Sequence, residues 1–210
     1  MANNLKQYEY YKTENGVLYC GDCLTIMPEL EPVDLVLTDP PYGLGEKWTG
    51  GTWFTKNVYE SDKCEWDKTQ DERVEFIIGL GLPSIIWGGN YYNLKPSRCY
   101  LSWVKRDNMP TMADFELAWT NFDRPSKEYY NRRNGWVRKH PTEKPVALFI
   151  WCIGWSKING VTIDPFFGSG TTAIACERLK RKWIGIEIEE KYCEIAAKRI
   201  EQERKQLKLF

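Results

Sequence analysis

The run Val33 to Leu37 leads through Thr38 into Asp39-Pro40-Pro41-Tyr42. That order places a carboxylate, two rigid residues and an aromatic ring at the tip of a strand. The chemistry it suggests concerns an aromatic amine. Such an amine is a poor nucleophile because its lone pair is delocalised into the ring. If the Asp39 carboxylate and the Pro40 backbone carbonyl accept both amine hydrogens, the nitrogen can pyramidalise and direct its lone pair at an electrophile. Tyr42 supplies a ring on which a planar base can stack, a contact worth about 1 to 3 kcal/mol per base.

A second segment, Asp164-Pro165-Phe166-Phe167-Gly168-Ser169-Gly170-Thr171-Thr172, joins a strand to a helix. Glycines at such a turn let a ligand approach the backbone closely, and the helix start offers N–H groups. The segment has neither the Gly-Lys-Ser/Thr of a phosphate-binding loop nor a full G-x-G-x-x-G. Glu187 ends the next strand, where a carboxylate can accept hydrogen bonds from ribose hydroxyls. Together they describe a site for a nucleoside with a small, non-phosphate tail, which S-adenosylmethionine fits. Its methyl group is already activated, so the protein has mainly to align donor and acceptor.

Composition narrows the alternatives. Such methyl transfer requires no catalytic histidine or metal, which agrees with a single histidine, His140, whereas most hydrolase mechanisms would be hard to assemble. Seven scattered cysteines read as reduced thiols, and Cys20-Gly21-Asp22-Cys23 has no second pair to complete a zinc site. Lys plus Arg and Asp plus Glu both total 29, so net charge does not identify a partner. Locally, the six basic residues Arg124, Lys127, Arg132, Arg133, Arg138 and Lys139 meet one acidic residue, Glu128, in a stretch able to follow a phosphate backbone. A polar opening and the lack of a long apolar run predict a cytoplasmic protein with no membrane span.

The elements that must position these residues alternate. Strands are expected at Val17 to Tyr19, Val33 to Leu37, Ser84 to Trp87, Tyr100 to Val104, Phe115 to Trp119, Val161 to Asp164 and Trp183 to Glu187. Helices are expected at Cys23 to Leu30, after a Thr69/Glu72 capping box with Val74, Ile77 and Ile78 inward, and from Pro145 with Val146, Phe149, Ile150 and Ile153 inward. Two more follow, one with Thr172, Ala175, Cys176 and Leu179 on a single face and one carrying Tyr192, Ile195, Ala196 and Ile200. Such alternation predicts one α/β domain over residues 1–210, with a mostly parallel, seven-stranded Rossmann-like sheet and helices on both faces. Both motifs fall at carboxyl ends of strands, where ligands bind on these sheets.

Asp39-Pro40-Pro41-Tyr42, then His140-Pro141-Thr142-Glu143-Lys144-Pro145, then the Asp164 to Thr172 segment resemble, in that order, the D-P-P-Y amino-methyltransferases of DNA. The order is similar to their circularly permuted β class, in which the catalytic motif comes before the cofactor motif. The resemblance implies the S-adenosylmethionine-dependent methyltransferase fold and catalytic roles for Asp39, Pro40, Pro41 and Tyr42. It implies cofactor contacts from Asp22, Asp39, Lys144, Asp164, Pro165, Phe166, Gly168, Ser169, Gly170, Thr171, Thr172 and Glu187. Within that set, Asp22 and Phe166 would meet the cofactor's adenine and Lys144 its carboxylate.

The resemblance also implies that the target base flips out of DNA. Motif order favours DNA over RNA as substrate, and an Asp-led tetrapeptide favours the N6 amine of adenine over the N4 amine of cytosine, which is the nearest alternative. A DNA-binding relative without turnover is a third reading. Residues 43–70 and 120–139 match no motif and are the candidate target-recognition segments. Trp48, Trp53, Lys56, Tyr129, Tyr130, Arg132, Arg133 and Trp136 are candidates there for positional DNA contacts. A homodimer and a cognate restriction endonuclease are the further partners that this family suggests.

Overall fold

The structure is a computed structural model and describes residues 5–43, 71–105, 113–130 and 144–207. The candidate residues Trp48, Trp53, Lys56, Arg132, Arg133 and Trp136, the capping residue Thr69 and the segment His140 to Glu143 lie outside the described residues.

Strands β1 (Glu9–Lys12), β2 (Gly16–Cys20), β3 (Leu35–Thr38), β4 (Ser84–Trp87), β5 (Tyr100–Val104), β6 (Phe115–Thr120), β7 (Lys127–Tyr130), β8 (Thr162–Asp164) and β9 (Trp183–Glu187) form one sheet. Helices α1 (Cys23–Ile26), α2 (Asp71–Gly79), α3 (Val146–Ser156), α4 (Thr171–Arg178) and α5 (Glu190–Leu207) cover it. The strand order is β1-β2-β9-β8-β3-β4-β6-β5-β7. Only β1 and β6 run against the rest.

Among the described residues the sheet has nine strands, where seven were expected. Both additions are edge strands, and both are mostly exposed. An edge strand is held by main-chain hydrogen bonds on one side and buries few side chains, so it leaves little alternation to read. β7 pairs with β5 inside the stretch expected to be a basic recognition loop.

The central strands are buried on both faces, as a sheet covered by crossover helices requires. On β3, Leu35 and Leu37 join the cluster under α3, α4 and α5 with Phe149, Ile174 and Ala196, whereas Val36 points to the cluster under α1 and α2 with Ile26 and Ile77. Leu179 and Ile195, expected to face the core, are exposed. Leu179 caps the end of α4, and α5 turns Cys193, Ala196 and Ile200 inward instead.

Chain direction diverges between β8 and β3, which are paired neighbours. From β8 the chain passes through α4 to β9 on one side, and from β3 through α2 to β4 on the other. A crevice at the carboxyl ends of two such strands is where a doubly wound sheet binds its ligand.

Candidate active site

Five parallel strand tips form a continuous arc. At its far end Asp22 follows β2 and caps α1, accepting from the Leu24 N–H at 3.0 Å and from Arg73 Nη2 at 2.7 Å. Burial raises the pKa of Asp22, but the Arg73 bonds outweigh it and hold the carboxyl below its ordinary value. Next to Asp22, the Gly21 N–H bonds to the carbonyl of Glu187 at 2.9 Å, which ties this strand tip to that of β9.

Glu187 is buried, and its side chain accepts from the Gly168 N–H at 2.7 Å and from the Glu189 N–H at 2.9 Å. Burial lifts its pKa above the ordinary carboxyl value. Gly168 and Gly170 both have positive φ, 51° and 84°, which only glycine adopts at little cost. A Cβ built on Gly168 would meet no atom of the described residues within 4 Å. From α5, Arg199 donates to the Ser169 carbonyl at 2.6 Å and to its hydroxyl at 2.5 Å, fixing the turn from behind.

Asp164 joins the two motifs. It accepts from Thr38 Oγ1 at 2.6 Å, from Thr172 Oγ1 at 2.5 Å and from the Phe166 N–H at 3.1 Å. Burial pushes this carboxyl up to about 7 despite the three donors. Because Thr38 immediately precedes Asp39, the glycine turn and the tetrapeptide are held at adjacent strand tips. Pro165 is buried behind the turn, and Phe166 is half-buried between the core clusters.

Asp39 is the centre of a dense polar group. Its carboxylate accepts from Lys144 Nζ at 2.8 and 2.7 Å and from the Tyr42 hydroxyl at 2.8 Å. Lys144 also donates to the Tyr42 hydroxyl at 2.8 Å and lies 3.0 Å from Glu116 Oε2. The other Glu116 oxygen pairs with Lys105. Burial raises the Asp39 pKa more than Lys144 lowers it. Burial alone would depress Lys144, yet Asp39 and Glu116 together hold its pKa above the ordinary lysine value. Glu116 is the reverse case: burial is outweighed by the two ammonium groups, and its carboxyl falls to about 2.

The structure thus brings Lys144 into direct contact with Asp39 and Tyr42 of the tetrapeptide. Tyr42 is buried, stacked at 4.8 Å on Tyr91, which is 44% exposed. Gly88, with φ 68°, makes room for the Tyr42 ring; a Cβ there would lie 1.9 Å from a ring carbon. The Tyr92 hydroxyl donates to the Pro41 carbonyl, while among the described residues no hydrogen bond reaches that of Pro40. Of the DNA-contact candidates on β7, Tyr129 is half-buried against Trp151 at 5.3 Å and Tyr130 is exposed.

Sequence reasoning did not single out Thr38, Gly88, Tyr91, Tyr92, Lys105, Glu116 or Arg199. Two of them carried a readable signal: Thr38 is polar at the end of an apolar run, and Gly88-Gly89 follows a strand directly. Glu116 and Lys105 carried none, since their roles arise only when β5, β6 and the start of α3 meet.

A doubly wound sheet, a glycine turn with a strand-end carboxylate, and an Asp-Pro-Pro-Tyr tip at the switch point define a methyltransferase architecture. The known fold agrees: the PvuII DNA methyltransferase (cytosine-N4-specific) superposes with a TM-score of 0.61 at 17% identity, covering 92% of this chain and 89% of that one. The M1.HpyAVI–SAM complex has a TM-score of 0.53 at 26% identity, covering 87% and 98%. The Type II methyltransferase M.HinfI of Haemophilus influenzae is 46% identical, covering 87% of this chain and 67% of that relative. A family model described as DNA methylase, of the N6/N4 methyltransferases, matches residues 86–198. The chain belongs to this family of S-adenosylmethionine-dependent DNA methyltransferases.

Proposed function

We propose that the chain methylates the N6 amine of an adenine flipped out of DNA, with Asp39 as the acceptor that activates the amine. The observation that carries this reading is the Thr38–Asp164 bond of 2.6 Å, which sets the Asp39 tip beside the glycine turn. Donor and acceptor sites so placed can share one reaction centre.

The residues fit S-adenosylmethionine. Among the described residues nothing fills the space before Gly168 and no side chain caps the start of α4, and Glu187 lies beside the turn with lone pairs left for ribose hydroxyls. Asp22, Asp164 to Phe166, and Ser169 to Thr172 would line the remainder of the cofactor site. When bound, the cofactor supplies an electrophilic methyl group. Asp39 and the Pro40 carbonyl then accept the two hydrogens of the target amine, while Tyr42 holds Asp39 in place through its hydroxyl. The ring of Tyr91, 44% exposed and backed by the buried Tyr42, offers a face on which the base can rest. Pro40 and Pro41 keep this tip rigid.

Sequence recognition is assigned to segments 43–70 and 120–139, and the whole of residues 1–210 to a single domain. Among the described residues no helix is long and apolar enough to cross a membrane; a cytoplasmic location is part of the same proposal. The Type II names of its relatives suggest a cognate restriction endonuclease; a homodimer is part of the same reading.

A cytosine N4 target is the second reading, because the cytosine-specific PvuII enzyme shares the fold. Methylation of DNA by the purified protein with labelled S-adenosylmethionine, followed by digestion to nucleosides, separates the two. N6-methyladenine is the expected product. N4-methylcytosine alone overturns the base assignment, and preferential labelling of RNA overturns the substrate.

A further inference from the structure

Lys144 has more acceptors than protons. Its ammonium carries three hydrogens and faces both Asp39 oxygens, the Tyr42 hydroxyl and Glu116 Oε2, all within 3.0 Å. If it served Asp39 alone, it would close over the carboxylate that the target amine has to reach. Glu116 Oε2, 3.0 Å from the same ammonium, competes with Asp39 for it. That glutamate is fixed in turn: it projects from β6, and Lys105 at the end of β5 holds its second oxygen.

Both lysines are buried, Lys105 at 8% and Lys144 at 4% exposure. Buried ammonium groups persist only when paired, and here two carboxylates balance two ammonium groups. Among the described residues, Tyr42 and, through its stack, Tyr91 lie on the β3 and β4 side, and Asp164 acts on Asp39 from β8. For its own ionisation Asp39 needs one cation. A second carboxylate with its own lysine does something further: it sets how tightly that cation binds Asp39.

We infer that Glu116, anchored by Lys105, is a positioning residue for methyl transfer, which shares the Lys144 ammonium and so leaves the Asp39 carboxylate able to accept the target amine. This rests on Asp39 being the amine's acceptor. Glu116 itself touches neither substrate nor cofactor in this role.

The test is Glu116→Gln, which keeps shape and removes charge. With Lys144 drawn wholly to Asp39, kcat should fall by about tenfold or more, while KM for DNA and S-adenosylmethionine stay within about threefold. Removing the neighbouring negative charge also favours the ionised form of Asp39. The acid limb of the kcat–pH profile should therefore move down by about half a pH unit or more. A packing role alone would leave that limb in place. Glu116→Asp, which retains the charge, should keep the wild-type limb and recover part of kcat; it also serves should the glutamine variant fail to fold. Wild-type kcat and limb in Glu116→Gln overturn the inference, as does an aspartate variant no more active than the glutamine one. Wild-type protein that methylates no DNA, or is indifferent to loss of Asp39, overturns the reading beneath it instead.

Discussion

Replacing Asp164 by Asn should stabilise the protein increasingly as pH rises. Asp164 is buried, and its carboxyl titrates at about 7 in the folded chain against an ordinary value of 3.8. A carboxyl with a raised folded pKa binds its proton more tightly when folded. It therefore contributes most stability below about pH 4, and that contribution is lost as pH climbs towards 7. Integrated from pH 5 to pH 8, the loss is on the order of 2 to 3 kcal/mol.

The asparagine variant has no such titration and can keep every partner. Its carbonyl replaces the oxygen that accepts from Thr38 and Phe166, and its amide donates to the Thr172 hydroxyl. Urea unfolding followed through the ten tryptophans, at four values between pH 5 and pH 8, gives the stability difference directly. The variant should gain on wild type by about 2 kcal/mol or more across that range. A difference that stays flat, or moves the other way, refutes the claim that burial dominates this carboxyl.

Two further outcomes follow from the positioning of the site. Gly88→Ala places a Cβ 1.9 Å from the Tyr42 ring at φ 68°, so the ring must move; activity should fall by about tenfold or more while cofactor affinity, measured by calorimetry, holds. Arg199→Ala frees the Ser169 carbonyl and hydroxyl and should weaken S-adenosylmethionine binding by about tenfold, with Arg199→Lys in between. Unchanged affinity in the alanine variant would show that the turn holds itself.

Much of the fold was legible because buried strands and amphipathic helices repeat. β4, β5 and β9 have the bounds expected of them, since Ser84 to Trp87, Tyr100 to Val104 and Trp183 to Glu187 are rich in β-branched, aromatic or leucine residues. The edges β1 and β7 were not legible, because Glu-Tyr-Tyr-Lys and Lys-Glu-Tyr-Tyr are fixed by main-chain pairing. At the site, turns announced themselves through proline and glycine, whose backbone restrictions are local. The linkage of Lys105, Glu116 and Lys144 to Asp39 is a tertiary convergence, and no spacing along the chain encodes it.

In the proposed reaction the Asp39 carboxylate acts on the target amine and not on the stability of the cofactor site. Removing it leaves Lys144 paired with Glu116, so the buried ammonium stays neutralised and the turn at Gly168 keeps its own bonds. The decisive measurement is transfer of labelled methyl groups to DNA by Asp39→Ala, alongside calorimetric binding of S-adenosylmethionine to the same protein. Transfer reduced by about a hundredfold or more, with affinity within about threefold of wild type, is the expected result. Undiminished transfer would contradict the account.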